Sequence, residues 1–199
     1  MTITYELGSS LYINITNRCT NHCTFCIRNQ QDGVGSGNNL WLNREPTVEE
    51  VIADIQNREL AKYQELVFCG YGEPLIRTDD IIEICQKLKA QYHIPIRINT
   101  NGHANLICGK DITHLLAGLI DAISISMTAK NSQEYQAICR SDYGDKAFEA
   151  MLDFAFKCKP YIPKVVLSVV DVIPQEDIEA CRAIAEGIGV KFRVRHFAE

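Results

Sequence analysis

The 199-residue chain has no apolar run approaching the ~20 residues that span a bilayer. Nor does it open with the basic-then-apolar pattern of a secretory leader. A membrane-embedded or exported protein is therefore not expected, and a cytoplasmic one is. A long basic block is also missing, and the net charge is −5, so composition offers no electrostatic grip on nucleic acid. Cysteine is plentiful but mostly unpatterned. Of the nine, Cys69, Cys85, Cys108, Cys139, Cys158 and Cys181 are scattered without a C-x2-C pair. An odd count and such scatter argue against a disulfide framework or a second metal cluster, and for reduced thiols. What is present is ordinary for one globular domain, 46% hydrophobic and 23% charged, with 1–199 read as a single unit.

Short β-branched runs alternate with amphipathic stretches, the pattern of repeated βα units around a parallel sheet. The expected strands lie near Leu11–Ile15, Glu65–Cys69, Pro95–Asn99, Ala122–Met127, Lys164–Val170 and Val190–Arg195. The expected helices lie near Val48–Tyr63, Asp79–Gln91, Asp111–Leu119, Lys146–Cys158 and Gln175–Gly187. Thr47 and Glu50 supply a capping box for the first, and Pro174 opens the last. Six strands and five helices give an α/β fold, a partial (β/α)6 open barrel.

The strands are too polar for burial on both faces. Ile123-Ser124-Ile125-Ser126, Ile96-Arg97-Ile98-Asn99 and Phe192-Arg193-Val194-Arg195 alternate strictly, and Tyr12, Asn14 and Thr16 oppose Leu11, Ile13 and Ile15. Helices must cover the apolar face, so the polar stripe is expected to line a ligand-holding interior. The competing possibility is an open sheet with one solvated face.

Three cysteines carry the chemistry. Cys19, Cys23 and Cys26 fall within eight residues directly after the first strand. Structural zinc takes four protein ligands. A four-iron cubane held by three cysteines leaves one iron open to a ligand that is not protein. A triad with no evident fourth partner points to such a cluster. A zinc scaffold or unrelated buried thiols are the alternatives.

The C-x3-C-x2-C spacing, with Phe25 before the third cysteine, resembles the radical S-adenosylmethionine superfamily. Phe68-Cys69-Gly70-Tyr71-Gly72-Glu73-Pro74 is similar to its Gly-Gly-Glu-Pro motif at the second strand end, with Tyr71 inserted. Asn99-Thr100-Asn101-Gly102 is similar to a Thr-Asn-Gly turn of its radical-activating members. The resemblance implies a 4Fe–4S cluster on the three cysteines. It also implies S-adenosylmethionine on the open iron and one-electron cleavage to a 5′-deoxyadenosyl radical that abstracts hydrogen from substrate. Cofactor contacts are thereby expected from Phe25, Gly70, Tyr71, Gly72, Glu73 and Pro74, with Asn99, Ser126 and Ser168 toward the ribose. Arg195 is a further candidate, for the cofactor or for a substrate carboxylate or phosphate. His196 and Asp171 share that strand end, and His22 is expected to face solvent.

At closer range Cys26-Ile27-Arg28-Asn29 looks like small radical proteins associated with TatD-family nucleases, which implies such a nuclease as a functional partner. A wide cleft favours a bulky substrate, such as a segment of a partner protein or a glycyl-radical enzyme, over a small metabolite. A flavodoxin or ferredoxin is the expected electron donor. The cluster loop is read as 16–29, and the glycine-rich 30–39 as a mobile loop or a lid over the cofactor. A non-enzymatic iron–sulfur electron-transfer or sensing module is the alternative function, though it would not need the Gly70–Pro74 loop.

Overall fold

The structure, a computed structural model, describes residues 1–29, 33–34 and 38–196, with the backbone only at 33, 34 and 38. In chain order it builds β1 (Thr4–Leu7), β2 (Ser10–Ile13), the short β3 (Gly33–Val34) and β4 (Asn38–Asn39), and α1 (Val48–Gln56). There follow β5 (Glu65–Phe68), α2 (Thr78–Lys89), β6 (Ile96–Thr100), α3 (Ala104–Cys108) and β7 (Ala122–Ser126). The chain continues through α4 (Ser132–Cys139), α5 (Lys146–Cys158), β8 (Lys164–Val170), α6 (Gln175–Ile188) and β9 (Lys191–Arg195). One sheet runs in the order β1-β2-β5-β6-β7-β8-β9. Its six strands from β2 onward are parallel, and β1 pairs antiparallel with β2 at the edge. β1 and β9 are separate edges, so the barrel is open, as the expected six-strand fold requires. Among the described residues no helix is long and apolar enough to cross a membrane.

The alternating pattern translates directly into two faces. Ile13, Leu66, Phe68, Ile98, Ile123, Ile125 and Leu167 are fully buried beneath the helices. Arg97, Asn99, Ser124 and Ser126 are half-buried on the opposite, concave face. The capping box of α1 forms, with Glu50 N donating to Thr47 Oγ1 and Thr47 N to Glu50 Oε2.

Three expectations shift. The first helix stops at Gln56 instead of Tyr63, where Arg58 turns back to donate to the Thr4 hydroxyl and carbonyl. The helix expected at Asp111–Leu119 is α3 followed by a 3-10 turn at Thr113–Leu116. Asp111 Oδ1 accepts there from the Thr113 amide and hydroxyl. The unforeseen α4 starts at Asn131, whose side chain accepts from Glu134 N at 2.9 Å.

Candidate functional site at the carboxyl ends of the strands

The three cysteines leave β2 in one loop. Cys19, Cys23 and Cys26 are all partly exposed, and Cys26 N donates to Cys23 O in a tight turn. Both halves of the loop are braced. At its start, Glu45 accepts from the Thr16 hydroxyl at 2.6 Å and from Arg18 Nε at 2.7 Å. Asn17 clamps Leu42 in both directions, donating to its carbonyl and accepting from its amide. At its end, His22 N and Thr24 N donate to the carbonyls of Cys139 and Ile138 on α4.

Under the loop lies a buried polar network. Asn101 Nδ2 donates to Thr20 Oγ1, and Asn101 Oδ1 accepts from His103 N. His103 Nε2 lies 3.1 Å from Ala147 O and 3.3 Å from the Tyr135 hydroxyl, and that hydroxyl accepts from Asn21 Nδ2. A donor bond to the Ala147 carbonyl places the proton on Nε2 and leaves Nδ1 to face Thr20. Burial holds the His103 imidazole down at about 4, so it is neutral.

The strand-end motif is pressed against this loop. A Cβ at Gly72 would lie 2.4 Å from Thr16 O and 2.5 Å from Arg18 O, and one at Gly70 would lie 2.0 Å from Asn14 Oδ1. The glycines are thus required by close approach of backbone to backbone and to Asn14. Asn14 Oδ1 is itself buried without a hydrogen-bond partner, while its Nδ2 donates to the carbonyls of Leu40 and Thr2.

Glu73 is buried, and its carboxylate accepts from Leu75 N, Thr100 Oγ1 and Asn101 N at 2.7–2.9 Å. Its own amide donates to Arg18 O at 2.7 Å. Burial, partly offset by these donors, pushes the carboxyl up to about 7. Glu73 and the buried Pro74 therefore tie β5, β6 and the cysteine loop together. The Tyr71 ring is turned away from the concave face, buried beside Tyr5 and Leu40 and edge-on to Trp41 at 5.1 Å. What Tyr71 presents is backbone, with its carbonyl accepting from Arg28.

On the concave face the remaining candidates gather. Asn99 hydrogen-bonds the Cys69 thiol and accepts from Arg97. Ser126 sits opposite Ser168 in register and accepts from Arg195 at 3.3 Å. Ser168 is buried, with its hydroxyl on Ile125 O at 3.4 Å. Phe25 is half-buried in the turn between Cys23 and Cys26. His22 faces solvent beside Asp142, and His196 pairs with Asp171 at 2.7 Å. Of the glycine-rich loop, residues 30–32 and 35–37 lie outside the described residues, and with them the lid expectation. Gly33–Val34 and Asn38–Asn39 form a short antiparallel ladder.

The donor set is three thiols, and no preassembled group of three or more His, Cys, Asp or Glu appears among the described residues. The neighbouring, buried Cys139 thiol, together with burial, pushes the Cys23 thiol up. Burial, with the Glu73 carboxylate nearby, pushes Cys19 up to about 12, and burial raises Cys26 as well. Those directions describe thiols, and a bound metal reverses them by deprotonating its ligands. Soft donors in one braced loop, packed against the Gly70–Pro74 strand end, fit an iron–sulfur cluster with one iron left open to a ligand that is not protein.

The loop bracing was not legible beforehand. Glu45, Asn101, His103, Tyr135 and Cys139 come from three separate segments, and only the Asn101-Gly102 turn carried a local signal.

An open half-barrel with its candidate site at the carboxyl ends of parallel strands follows the placement of active sites in α/β barrels. The Radical SAM superfamily model matches residues 13–187, and the chain belongs to that superfamily. That superfamily is one of enzymes that use a 4Fe–4S cluster and S-adenosylmethionine. A probable GTP 3′,8-cyclase of Methanothermobacter thermautotrophicus is 34% identical over 67% of this chain and 40% of its own length. The GTP 3′,8-cyclase of Limosilactobacillus fermentum is 27% identical over 88% of this chain and 49% of its own. The chain thus spans half or less of these two relatives. Among solved structures, Streptococcus suis SuiB bound to S-adenosylmethionine superposes on 96% of this chain and 41% of its own, with TM-score 0.70 at 16% identity.

Proposed function

We propose that this chain initiates radical chemistry on a substrate seated against the concave face of the half-barrel. The observation that carries the reading is the docking of Gly70 and Gly72 onto Asn14, Thr16 and Arg18, directly beside the three cysteines. Cys19, Cys23 and Cys26 would hold the cluster, and the Gly70–Pro74 backbone would receive the amino group of the cofactor. The chemistry supplied by a bound cluster and S-adenosylmethionine is one-electron cleavage of the sulfonium and hydrogen-atom abstraction from substrate. The protein's own part is positional. Glu73 fixes the strand-end loop, Asn101 and His103 hold the cysteine loop from below, and the half-buried Asn99 and Ser126 would offer neutral hydrogen bonds to a diol. The hydroxyl of the buried Ser168 is taken by Ile125 O.

Three finer readings accompany this one. The Cys26–Asn29 stretch supports placement with the TatD-associated radical proteins and a functional link to such a nuclease. A flavodoxin or ferredoxin is the proposed electron donor. The whole of residues 1–199 serves as one catalytic core.

The test is anaerobic reconstitution with iron and sulfide, reduction by dithionite, and quantification of 5′-deoxyadenosine from S-adenosylmethionine. The expected product vanishes in the Cys19→Ala/Cys23→Ala/Cys26→Ala triple variant. A reducible cluster that never yields product, with substrate candidates supplied, favours an electron-transfer or sensing module. Zinc in place of iron overturns both.

A further inference from the structure

The concave face collects positive charge that the catalytic reading leaves unused. Lys191, Arg193 and Arg195 occupy alternate positions of β9, so their side chains leave the same face of the strand, opposite Phe192 and Val194, which pack on the core. Four steps of about 3.3 Å from Lys191 to Arg195 make this a row roughly 13 Å long. In register, Val166 of β8 stands beside Lys191, and Ser168 beside Arg193. Lys164 opens β8 on the same face, and Arg97 lies across from it on β6.

Arg97, Lys164, Lys191 and Arg193, with Glu65 and Ser124, line a cavity of about 380 Å³ toward the amino end of these strands, and Arg195 continues the row beyond it at the far end of β9. The single carboxylate there, Glu65, is engaged by Arg97 through Nε and Nη2 and accepts from Ser10 as well. Among the described residues Lys164, Lys191, Arg193 and Arg195 have no ion pair. In a chain of net charge −5, such a patch is a local concentration.

Arg195 is the sharper observation. Its guanidinium reaches inward to Ser126, and its Nε is buried with no hydrogen-bond partner. A buried cation without a carboxylate is costly unless a counter-ion arrives.

We propose that this face is an oxyanion site, in which a carboxylate or phosphate of a small-molecule substrate is held along Lys191, Arg193 and Arg195, with Lys164 opposite. The proposal deepens the substrate side of the proposed function and rests on its reading of the concave face. Edge strands do carry Lys and Arg to discourage strand pairing. That role explains neither Lys164 on the inner neighbour β8 nor an inward-reaching Arg195. The cofactor's one carboxylate could occupy Arg195 but leaves the other cations of a row this long unanswered. The cavity matches a small ligand, at the lower end of the usual 300–1,000 Å³ range. A cleft with low-dielectric walls and one sign of charge also concentrates oppositely charged substrate.

The test is calorimetric titration of the full cluster-loaded chain, under anaerobiosis and constant ionic strength, with inorganic pyrophosphate, citrate and an acidic peptide. Wild type is compared with Arg193→Gln and Lys191→Gln, two exposed positions whose folding is checked by thermal melting. The expected result is saturable binding of a small anion, weakened about tenfold or more by Arg193→Gln. Preference for pyrophosphate or for citrate then identifies the oxyanion as phosphate or carboxylate. Failure of both small anions to saturate, or binding unchanged in both variants, overturns the proposal. So does saturation by the acidic peptide alone, which would assign the face to a protein segment. S-adenosylmethionine cleavage by wild type is measured alongside. Cleavage without anion binding sinks this proposal only, whereas anion binding without cleavage sinks the enzymatic reading and leaves the site.

Discussion

Asn101 Nδ2 donates to Thr20 Oγ1 at 2.9 Å, and this bond joins the turn after β6 to the middle of the cysteine loop. Its significance lies in what each partner also does. Thr20 O accepts from Asp142 N, and Asn101 N donates to Glu73. One side-chain contact therefore links the loop, the strand-end motif and the segment after α4.

Asn101→Ala removes two buried side-chain hydrogen bonds and leaves the His103 amide without its acceptor. A loss of about 2 kcal/mol in urea unfolding is expected. Iron retained per chain after reconstitution should fall as well. Stability reduced with iron content unchanged would show that the bond holds the fold and not the loop.

Gly72→Ala sets a methyl group against two backbone carbonyls that have nowhere to go. The expected cost is about 1–3 kcal/mol, together with impaired cluster loading. Gly187→Ala, in α6 with open space around it, serves as contrast and should stabilise by about 0.4–1 kcal/mol. Thermal melts of the two variants should move in opposite directions.

Glu73 and His103 oppose each other in pH. The folded Glu73 carboxyl, raised to about 7 from 4.5, holds its proton more tightly than in the unfolded chain, so its contribution is lost as pH rises from 4.5 through 7. The folded His103, lowered to about 4 from 6.5, binds its proton less tightly, so stability is lost as pH falls from 6.5 through 4. Each slope is about 1.4 kcal/mol per pH unit, and they cancel between 4.5 and 6.5. His103→Gln should expose a stability that falls with rising pH there, and Glu73→Gln one that rises. Chemical denaturation of the metal-free chain at a series of pH values reads both. Identical pH profiles in the two variants would contradict the assignment.

Cys139→Ser separates ligand from neighbour. The Cys139 thiol stands beside Cys23 and is buried at the end of α4. With three thiols as the whole ligand set, Cys139→Ser should keep the iron content and visible absorption of wild type, while Cys23→Ser loses both. Loss of iron in Cys139→Ser would make it a fourth ligand and favour a closed site.

Much of the fold was legible because the half-barrel has two chemically different faces. Ile123, Ser124, Ile125 and Ser126 announce their own orientation, since period-two alternation needs no knowledge of the partner strand. β1 escaped notice because Thr4–Leu7 is a short edge strand with little periodicity. α4 escaped because Ser132–Cys139 is weakly amphipathic and buries only Tyr135 and Cys139. Tyr71 was placed with the cofactor contacts on motif position alone, but its ring buries with Tyr5 and Leu40, a satellite core made from three distant segments.

The sequence by itself determined the candidate ligand chemistry, because three cysteines within eight residues stay within reach of one another in any fold, and it determined which face of each strand is polar. Tertiary structure alone decided what holds those thiols in place and what surrounds the cleft. Glu45, Asn101, His103 and Tyr135 come to the cysteine loop across as many as 114 residues, as in the bond from Asn21 to Tyr135. Lys164 and Arg193 line one cavity only because β8 and β9 are parallel neighbours at a particular register. Local spacing encodes local chemistry, whereas a buried charge or a brace between loops exists only once non-local pairing has brought its partners together.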